Sequence, residues 1–595
     1  MEIQNNQIAI TGEGVICAIG HNKQQVLESL RQKKSGIGEM RYLNSKHREL
    51  PVGEVSLSNE EMQDLLGIKQ VAYVNRTTLM GMIAVKQALE DAGINANYVK
   101  DKALRVVLIS GTTVAGMDVT ENFFGEFSQS DDNLACLHNH SAGSSTRLIA
   151  DYFGLFNEYT TISTACSSAA NALILGANML KAGQCDVVVA GGSEALSVFH
   201  LNGFNSLMIL DHTPCRPFDE TRAGLNLGEG AAYVVIEKRK MAETRGVEIH
   251  GLLSGYGNAC DAFHQTASSD NGEGAYLAMS EAIKMANLKP EDIQYVNAHG
   301  TGTPNNDQSE SAALRRVFGD SVPLVSSTKS FTGHTTSASG SIETVICLLA
   351  INQHFVPANL GWSKSLADCI IPTMGIENYE LHHVLCNSFG FGGNDTSLLI
   401  SSPDSMQSDT SFQLSKCPVK VVSKVEITDE EQLAEIRDYV KPLEARRMGK
   451  IMKSSLLSSL KALKEAGIEK PDAIITGTAL GCLENSEKLL LQMIEEGEET
   501  MKPTFFMQST HNTISSNIAI RLGCHGYNVT YTQDDDSLKW ALRDAELLLR
   551  SGKYKYVLVG LHDETTPIYR DLMSRLGESV GPAIHSISMV VTCGK

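Results

Sequence analysis

The chain has 595 residues, of which 42% are hydrophobic and 20% are charged, and its formal net charge is −19. This length is too great for one ordinary domain, and the composition is that of a folded globular protein rather than a disordered, collagen-like or coiled-coil chain. The excess of acidic residues argues against sequence-independent binding to nucleic acid, which requires clustered lysine and arginine.

The thirteen cysteines and the N-terminal residues bear on the cellular compartment. The cysteines are scattered, odd in number and free of CxxC pairs, which is typical of reduced thiols rather than of a disulfide framework or a zinc site. The first residues lack the basic and apolar segments of a signal peptide, and no apolar run is long enough to span a membrane. We therefore expect a soluble cytoplasmic protein that binds no metal and no membrane.

Short apolar runs alternate with longer helical patterns in the first part of the chain. Four runs predict buried strands, at residues 7–10, 106–109, 187–190 and 233–236. Helical patterns cover residues 77–92 and 167–182, and Gly93 and Gly183 follow them where a C-terminal cap belongs. This alternation predicts an α/β architecture.

Residues 401–416 are rich in Ser and Asp and have no periodicity, so they predict a linker. Four segments beyond the linker repeat, in the same order, segments that precede it. The matched pairs are 87–94 with 461–468, 109–112 with 475–478, 180–183 with 549–552, and 187–191 with 556–560. We therefore predict a domain at 1–400, with halves at about 1–250 and 251–400, and a second domain at 417–595 that is a degraded copy of the first half.

A cysteine lies at a predicted strand-to-helix turn, in the motif Thr164-Ala-Cys-Ser-Ser168. The unpaired N–H groups and the dipole at a helix N-terminus lower the pKa of a nearby thiol and favour the thiolate. A thiolate accepts acyl groups from thioesters, so Cys166 is a candidate nucleophile. Most lone cysteines are simply small buried residues, so the motif by itself leaves both interpretations open.

Three glycine-punctuated loops carry further candidate residues. They are Asn297-Ala-His-Gly-Thr-Gly-Thr-Pro304, Lys329-Ser-Phe-Thr-Gly-His334 and Asn387-Ser-Phe-Gly-Phe-Gly-Gly-Asn394. Either histidine alone is more often structural than catalytic. Two histidine loops together with a cysteine at a helix start favour a catalytic site, because neutral imidazole N–H groups can stabilise a developing oxyanion.

With these motifs, residues 1–400 resemble the elongating β-ketoacyl-acyl carrier protein synthases of the thiolase-like superfamily. The resemblance extends to residues 8–12, 216–219 and 228–230. It implies a five-layer αβαβα fold, usually assembled as a dimer, that requires no cofactor. The implied activity is an acyltransfer in fatty-acid or polyketide biosynthesis: decarboxylative Claisen condensation of malonyl and acyl groups delivered by an acyl carrier protein.

The resemblance also implies a role for each site residue. Cys166 carries the acyl chain, and His299 and His334 bind the malonyl thioester carbonyl and stabilise its enolate. The implied supporting residues are Lys329 and Glu343, a charged pair behind the second histidine; Phe391, whose N–H joins that of Cys166 in an oxyanion hole and whose ring gates the acyl chain; and Thr301 and Thr303, which contact the pantetheine arm of the carrier.

The predicted copy departs from this pattern. Aligning Gly552 with Gly183 places Asp535 opposite Cys166, and a slip of one residue would place Asp534 there. Two of its histidines, His511 and His525, precede the nucleophile position, and it has no loop like those of His299 and His334. We therefore predict a non-catalytic domain resembling a chain-length factor, which forms a pseudo-dimer with the first domain or shapes the acyl tunnel.

Four basic residues of the copy occur at helical spacing and predict a basic face that an acidic carrier protein could contact, although a solvated helix face is the commoner meaning. They are Arg446, Arg447, Lys450 and Lys453.

Two other classes of function stay open. A thiolase or a synthase that uses coenzyme A is disfavoured because a second catalytic cysteine is missing and both histidine loops are present. A non-catalytic partner is disfavoured for residues 1–400 by the intact cysteine and histidines. The fused half-copy favours a dedicated lipid or pigment pathway, such as that of aryl polyenes or flexirubins, over primary fatty-acid synthesis.

Overall fold

The computed structural model describes residues 7–68, 73–405 and 414–594; we call residues 7–405 the first segment and 414–594 the second segment. The strands of the first segment are β1 Ile8–Cys17, β2 Val106–Gly111, β3 Glu158–Ile162, β4 Val187–Glu194, β5 Gly230–Lys238, β6 Gly251–Cys260, β7 Tyr295–Asn297, β8 Leu324–Ser326, β9 Phe355–Val356, β10 Ile376–Glu377, β11 His383–Gly390 and β12 Asn394–Ser401.

The helices of the first segment are α1 Lys23–Arg31, α2 Asn59–Leu66, α3 Arg76–Asp91, α4 Ala96–Lys102, α5 Met117–Phe123, α6 Ala142–Phe153, α7 Ser168–Lys181, α8 Val198–Ser206, α9 Arg239–Arg245, α10 Glu273–Met285, α11 Pro304–Phe318, α12 Lys329–Thr332 and α13 Ser339–Asn352. The four predicted strands are confirmed as parts of β1, β2, β4 and β5, and the two predicted helices as α3 and α7. Gly93 and Gly183 follow these helices with φ of +65° and +68°, as expected for C-terminal caps.

The elements of the second segment are β13 Val419–Ile427, α14 Pro442–Arg447, α15 Lys450–Ala466, β14 Ala473–Gly477, α16 Leu483–Glu496, α17 Pro503–Met507, α18 Thr513–Leu522, β15 Tyr527–Tyr531, α19 Ser537–Arg550, β16 Tyr556–Glu564, α20 Pro567–Arg575 and β17 Ile584–Cys593. Residues 406–413 of the predicted linker lie outside the described residues.

The strands pair in the order β13-β17-β16-β14-β15-β3-β2-β4-β5-β1-β6-β12-β11-β7-β8, with β9 and β10 forming a separate pair. Within the first segment, helices α7 and α13 contact strands of both the β3-to-β1 part and the β6-to-β8 part, so they form a middle layer. Helix α3 packs on the outer face of the former and α10 on that of the latter. The predicted α/β fold with αβαβα layers is confirmed.

The strands of the second segment repeat the arrangement of β3-β2-β4-β5-β1. Outward from the junction, β15-β14-β16-β17-β13 shows the same sequence of two parallel and then two antiparallel pairings. The two sets meet where Tyr531 of β15 pairs antiparallel with Ile162 of β3. Backbone hydrogen bonds from Ser163 to Thr530 and from Thr532 to Thr161 complete the junction. The result is a pseudo-twofold axis between β3 and β15.

Side-chain hydrogen bonds repeat as well. The carboxylate of Glu194, at the end of β4, accepts from the hydroxyl of Thr112 and the backbone N–H of Thr113, each at 2.8 Å. The carboxylate of Asp563, near the end of β16, accepts from the hydroxyl of Thr478 and the N–H of Ala479, each also at 2.8 Å. Equivalent strand ends are therefore closed by equivalent carboxylates.

The expectation that all cysteines are reduced is wrong for one pair. Cys417 and Cys593, separated by 176 residues, form a disulfide, whereas the other eleven cysteines are free and buried. The pair meets because β13 and β17 are antiparallel neighbours and Val419 lies opposite Cys593. No spacing pattern in the sequence indicates a contact between residues so far apart.

The expectation of a basic helix face in the second segment is also wrong. Arg446 and Arg447 end α14, and Lys450 and Lys453 lie in the first turn of α15. The residues between the two helices are extended, so the four basic residues are divided between two helices and form no single helix face. Lys450 Nζ lies 2.9 Å from a Glu430 carboxylate oxygen, which partly neutralises the patch. Among the helices of the described ranges, none is both long and apolar enough to cross a bilayer.

Candidate active site

Cys166 occupies the turn between β3 and α7. Ala165, immediately before it, has φ of +51°, a left-handed conformation that turns the chain sharply into the helix. The hydroxyl of Ser168 fixes the turn, because it accepts from the Thr164 N–H at 2.9 Å and donates to the Ala165 carbonyl at 2.7 Å. The side chain of Cys166 is buried beneath the second half of the first segment, with the residue 5% exposed.

The structure brings His299 and His334 together with Cys166, although the three residues are distant in sequence. His334 Nε2 lies 3.0 Å from Cys166 Sγ, and the two imidazole rings are edge to face with centroids 5.2 Å apart. Ligand atoms of all three side chains lie within 4.8 Å of one another. The site can therefore place one thioester carbonyl against a sulfur nucleophile and two ring N–H groups.

The predicted thiolate is not supported, because burial raises the pKa of Cys166 to about 12. The charge of Lys329 and the backbone N–H of Phe391 lower the pKa but do not outweigh desolvation. The sequence indicated a helix N-terminus but not the depth at which the thiol is buried. The raised pKa favours a protonated thiol at neutral pH, and His334 Nε2 lies 3.0 Å from its sulfur.

Both histidines are held neutral. Burial lowers the pKa of His299 and of His334 well below the ordinary value, and the nearby charge of Lys329 lowers both further. His334 is oriented by a 3.1 Å contact between its Nδ1 and the hydroxyl of Ser339. Neutral imidazoles retain one N–H donor each, which is the form needed to stabilise an oxyanion.

Lys329 and Glu343 form a buried ion pair beside the histidines, with Nζ 2.5 Å from a carboxylate oxygen. The exposed fractions are 1% for Lys329 and 2% for Glu343. Burial raises the pKa of Glu343 to about 7, and Lys329 opposes that rise. A thiol and two imidazoles could also hold zinc, but the positive charge of Lys329 disfavours a dication there.

Glu310 on α11 is a site residue that the sequence analysis missed. Its two carboxylate oxygens accept from the backbone N–H groups of His299 and Gly300 at 2.9 and 2.8 Å. It thereby fixes the loop that carries the first histidine. On the same loop, the hydroxyls of Thr301 and Thr303 lie 2.9 Å apart just before α11 begins. The only sign of this role in the sequence is an acidic residue eleven positions after His299.

Phe391 belongs to an aromatic cluster to which both segments contribute. Its ring stacks on Phe204 at 5.5 Å, and Phe204 meets Phe506 of the second segment edge to face at 5.1 Å. Phe506 packs so closely on Gly203 that a Cβ there would lie 2.1 Å from the ring. The sequence analysis selected Phe391 but neither of the other two rings, which only the junction of the segments brings near.

A cavity of about 310 Å³ is lined by residues of both segments, and Phe506 of this cluster forms part of its wall. Met117 and Phe199 are among those from the first segment, and Leu480, Leu483 and His511 are among those from the second. His511 contacts the site region directly, with its Nδ1 3.3 Å from the hydroxyl of Ser163. His525 instead contacts the backbone carbonyl of Cys260 at 3.0 Å, away from the cavity.

The turn between β15 and α19 has the geometry of the Cys166 turn but different chemistry. Asp534 has φ of +44°, and the hydroxyl of Ser537 accepts from the Gln533 N–H and donates to the Asp534 carbonyl. Counting from Ile162 and Tyr531, Asp535 occupies the position of Cys166. Asp535 is exposed to solvent. Neither a thiol nor a pair of histidine loops is present at this turn.

Family profiles match most of the chain. "Beta-ketoacyl synthase, N-terminal domain" matches residues 5–242 and again 399–580, and "Beta-ketoacyl synthase, C-terminal domain" matches residues 250–363. Nodulation protein E of Rhizobium meliloti (strain 1021) is 31% identical over 408 residues, which are 66% of this chain and 98% of that protein.

Two further relatives differ in how much of the chain they cover. The 3-oxoacyl-[acyl-carrier-protein] synthase 2 of Staphylococcus aureus (strain COL) is 29% identical over 425 residues, covering 67% of this chain and 98% of that protein. The solved structure of "PfaC Keto synthase-Chain length factor" shares the fold with a TM-score of 0.80, at 17% identity, over 99% of this chain and 78% of that one. The chain belongs to the β-ketoacyl synthase family of condensing acyltransferases.

Proposed function

We propose that this protein extends an acyl chain held on Cys166 by decarboxylative condensation with a malonyl group, both groups being delivered by an acyl carrier protein. The observation that carries the proposal is the convergence of Cys166, His299 and His334 within 4.8 Å. Two histidines, rather than a second cysteine, face the nucleophile, which favours malonyl condensation over thiolase chemistry. The name of the Staphylococcus aureus relative supports an acyl carrier protein as the substrate carrier.

In the first step, the sulfur of Cys166 attacks the carbonyl of an acyl thioester. The thiol proton passes to His334 Nε2, and the backbone N–H groups of Cys166 and Phe391 stabilise the tetrahedral oxyanion. The carbon–sulfur bond to the carrier then breaks, and the departing thiolate takes a proton from solvent. His334 releases its Nδ1 proton through the Ser339 hydroxyl, so the neutral ring keeps its N–H on Nε2 for the next step. The products are acyl-Cys166 and a free carrier thiol.

In the second step, a malonyl thioester enters with its carbonyl oxygen facing the ring N–H groups of His299 and His334. The bond to the carboxylate breaks, carbon dioxide leaves, and its electron pair forms an enolate whose oxygen the two donors stabilise. The enolate carbon attacks the acyl-Cys166 carbonyl, a carbon–carbon bond forms, and the carbon–sulfur bond to Cys166 breaks. The Cys166 thiolate is reprotonated from solvent. In this scheme Lys329 and Glu343 fix the electrostatics, and Thr301 and Thr303 contact the pantetheine arm.

We infer that the predicted domain at 417–595, which the second segment represents, is non-catalytic and completes the acyl cavity of the first segment in the manner of a chain-length factor. Asp535 in place of a cysteine argues against catalysis by this segment. Leu480, Leu483 and Phe506 line the cavity, which supports a part in setting product length. Because β15 occupies the edge of β3, we propose an intramolecular pseudo-dimer in place of a homodimer through that edge.

The fused half-domain favours a dedicated lipid, polyketide or pigment pathway, with aryl-polyene-type chains as the first products to test. A cytoplasmic site of action fits the eleven free, buried cysteines, whereas the Cys417–Cys593 disulfide is of a kind more common in oxidising compartments.

Mass spectrometry of the intact chain after exposure to an acyl-carrier thioester tests the reaction. We expect a mass increase equal to the acyl group on the peptide that contains Cys166, and its replacement by an elongated β-ketoacyl product when malonyl-carrier is added. Cys166→Ala should give no adduct. An adduct on another cysteine, or none on the native chain, would overturn the proposed activity.

The role of the second segment is tested by filling the cavity from its side. Leu483→Trp should shorten the longest product without slowing extension of a short primer. Leu443→Trp is the matched control, because Leu443 lies in the same segment and is 64% exposed. If both variants give the native product length, the second segment does not shape the cavity.

A further inference from the structure

The loop that carries Phe391 is attached to the second segment by hydrogen bonds from the side chain of Asn512, among others. Asn512, at the start of α18, is 0% exposed, and its Nδ2 donates to the Phe391 carbonyl at 2.8 Å and to Asn394 Oδ1 at 2.7 Å. Both N–H groups of one buried amide therefore hold the two ends of residues 391–394. Asn512 is a residue that the sequence analysis did not select.

The orientation of the Asn512 amide is determined by its neighbours. Both atoms that face Nδ2 are oxygens that can only accept, so the reversed amide would set oxygen against oxygen. Its own Oδ1 has no hydrogen-bond partner among the described residues. A buried acceptor left without a partner is unfavourable, so the two donated bonds must outweigh that cost.

Close packing reinforces the attachment. Gly392 has φ of +82°, and a Cβ on it would lie 2.1 Å from the Ser516 hydroxyl, so the loop backbone lies directly against α18. Asn394 is held from the same side, since its Nδ2 donates to the Asn528 carbonyl at 3.0 Å. From the first segment, the Gly392 N–H donates to the carbonyl of Gln265 at 2.7 Å.

The position in which residues 391–394 are held bears on the proposed chemistry at Cys166. In it, the Phe391 N–H is directed at Cys166, and the Phe391 ring stacks on Phe204, which in turn contacts Phe506 in the cavity wall. We infer that Asn512 is a positioning residue that holds the Phe391 loop closed, so that the second segment sets how readily an acyl chain passes from Cys166 into the cavity. This inference rests on the function proposed above and adds a residue that acts through Phe391.

Asn512→Asp tests the inference with almost no change in volume. A carboxylate cannot donate to the Phe391 carbonyl, and it repels the two oxygens that Asn512 now binds. Asn517→Asp is the matched control, because it makes the same change on α18 and the Asn517 Nδ2 has no hydrogen-bond partner among the described residues. Asn512→Ala, which removes the tether without adding charge, separates loss of the bonds from repulsion.

Two readouts separate positioning from general damage to the fold. Relative to Asn517→Asp, both Asn512 variants should show severalfold faster amide exchange at residues 390–394 and severalfold faster alkylation of Cys166 by iodoacetamide. The rate of acyl transfer to Cys166 should fall about tenfold, since an oxyanion-hole donor is displaced but not deleted. The ratio of the transfer rates for long and short acyl thioesters should move closer to one.

Unchanged exchange and alkylation in Asn512→Asp would overturn the inference, as would equal changes in Asn517→Asp. The exchange measurement does not depend on catalysis. If the native chain accepted no acyl group, the proposed function would fail, whereas the exchange at 390–394 would still decide whether Asn512 holds the loop.

Discussion

The turn that holds Cys166 and the turn that holds Asp535 have matching backbones and opposite surroundings. Both place a left-handed residue before the key position, and both are closed by a serine hydroxyl with the same two hydrogen bonds. Cys166 is buried under the half of the first segment that carries both histidine loops, whereas Asp535 is exposed. A nucleophile turn is therefore not sufficient for an active site; the elements that cover it supply the donors and exclude water.

The most direct test of this comparison is to substitute Cys166 and Asp535 separately and to compare the losses of activity. We expect Cys166→Ala to lower condensation by on the order of 10⁴-fold or more, because it removes the atom that bears the intermediate. Asp535→Ala should leave the rate within about twofold, as expected for an exposed residue outside the site. Steady-state rates with acyl- and malonyl-carrier check both. A large loss in the Asp535 variant would contradict a non-catalytic second segment.

The buried ion pair offers the next largest effect. Lys329→Met leaves Glu343 buried without its partner, and breaking such a pair costs about 3–5 kcal/mol in the free energy of unfolding. The double variant Lys329→Met/Glu343→Leu should recover much of that stability but not the activity. Urea unfolding of the three proteins measures this. Equal stability of the single and double variants would show that the pair contributes little.

The two histidines can be separated from the nucleophile. His299→Ala should lower the rate of malonyl decarboxylation by about 10²–10³-fold, the usual effect of deleting one oxyanion donor. Acyl transfer to Cys166 should change much less, because His334 and the backbone N–H groups remain. Carbon dioxide release and the mass of the acyl-enzyme, measured side by side, distinguish the two steps. A parallel loss in both steps would mean that His299 acts on the whole site.

Stability of the edge strands provides a comparison outside the site. Strand β1 pairs with β5 on one side and β6 on the other, whereas the equivalent β13 pairs only with β17 among the described strands. Cys417, just before β13, forms a disulfide with Cys593 at the end of β17. Cys417→Ser should lower the stability of the second segment by about 2–4 kcal/mol. Thermal unfolding with and without reductant tests this; reductant should destabilise the native chain and not the variant.

The smallest effect concerns the reactivity of the nucleophile. The reactive form is the thiolate, and burial raises the pKa of Cys166 to about 12. Alkylation of the resting enzyme should therefore rise about tenfold per pH unit and show no plateau at about pH 8.5, where an ordinary thiol titrates. Peptide-level mass spectrometry across pH measures it. A plateau below about pH 8 would restore the thiolate that the sequence predicted.

Local patterns in the sequence were enough to predict much of the fold and to select three residues that the structure brings together. Strand and helix alternation is a local property, and glycine-punctuated loops identify candidate residues even when they cannot give distances. The sequence alignment of Gly183 with Gly552 has an offset of 369 residues and places Asp535 opposite Cys166. The same offset relates Ile162 to Tyr531, which pair at the junction, so the alignment without a slip agrees with the structure.

What could not be predicted depends on burial or on contacts across the junction. The pKa of Cys166 depends on how much protein covers it, which a motif does not encode. Phe506 and Asn512 carry no recognisable motif and reach the site only through the packing of the second segment on the first. The Cys417–Cys593 contact and the break between α14 and α15 likewise follow from tertiary structure, which overrode the spacing arguments.

The pairing of β3 with β15 inside one chain has a consequence for assembly. Association between separate subunits weakens on dilution, whereas two tethered partners keep a high effective concentration at any dose of protein. Every molecule therefore carries the first and the second segment in a one-to-one ratio, whatever the level of expression. The edge of β3 is already paired with β15, so a strand of another subunit cannot pair with it there.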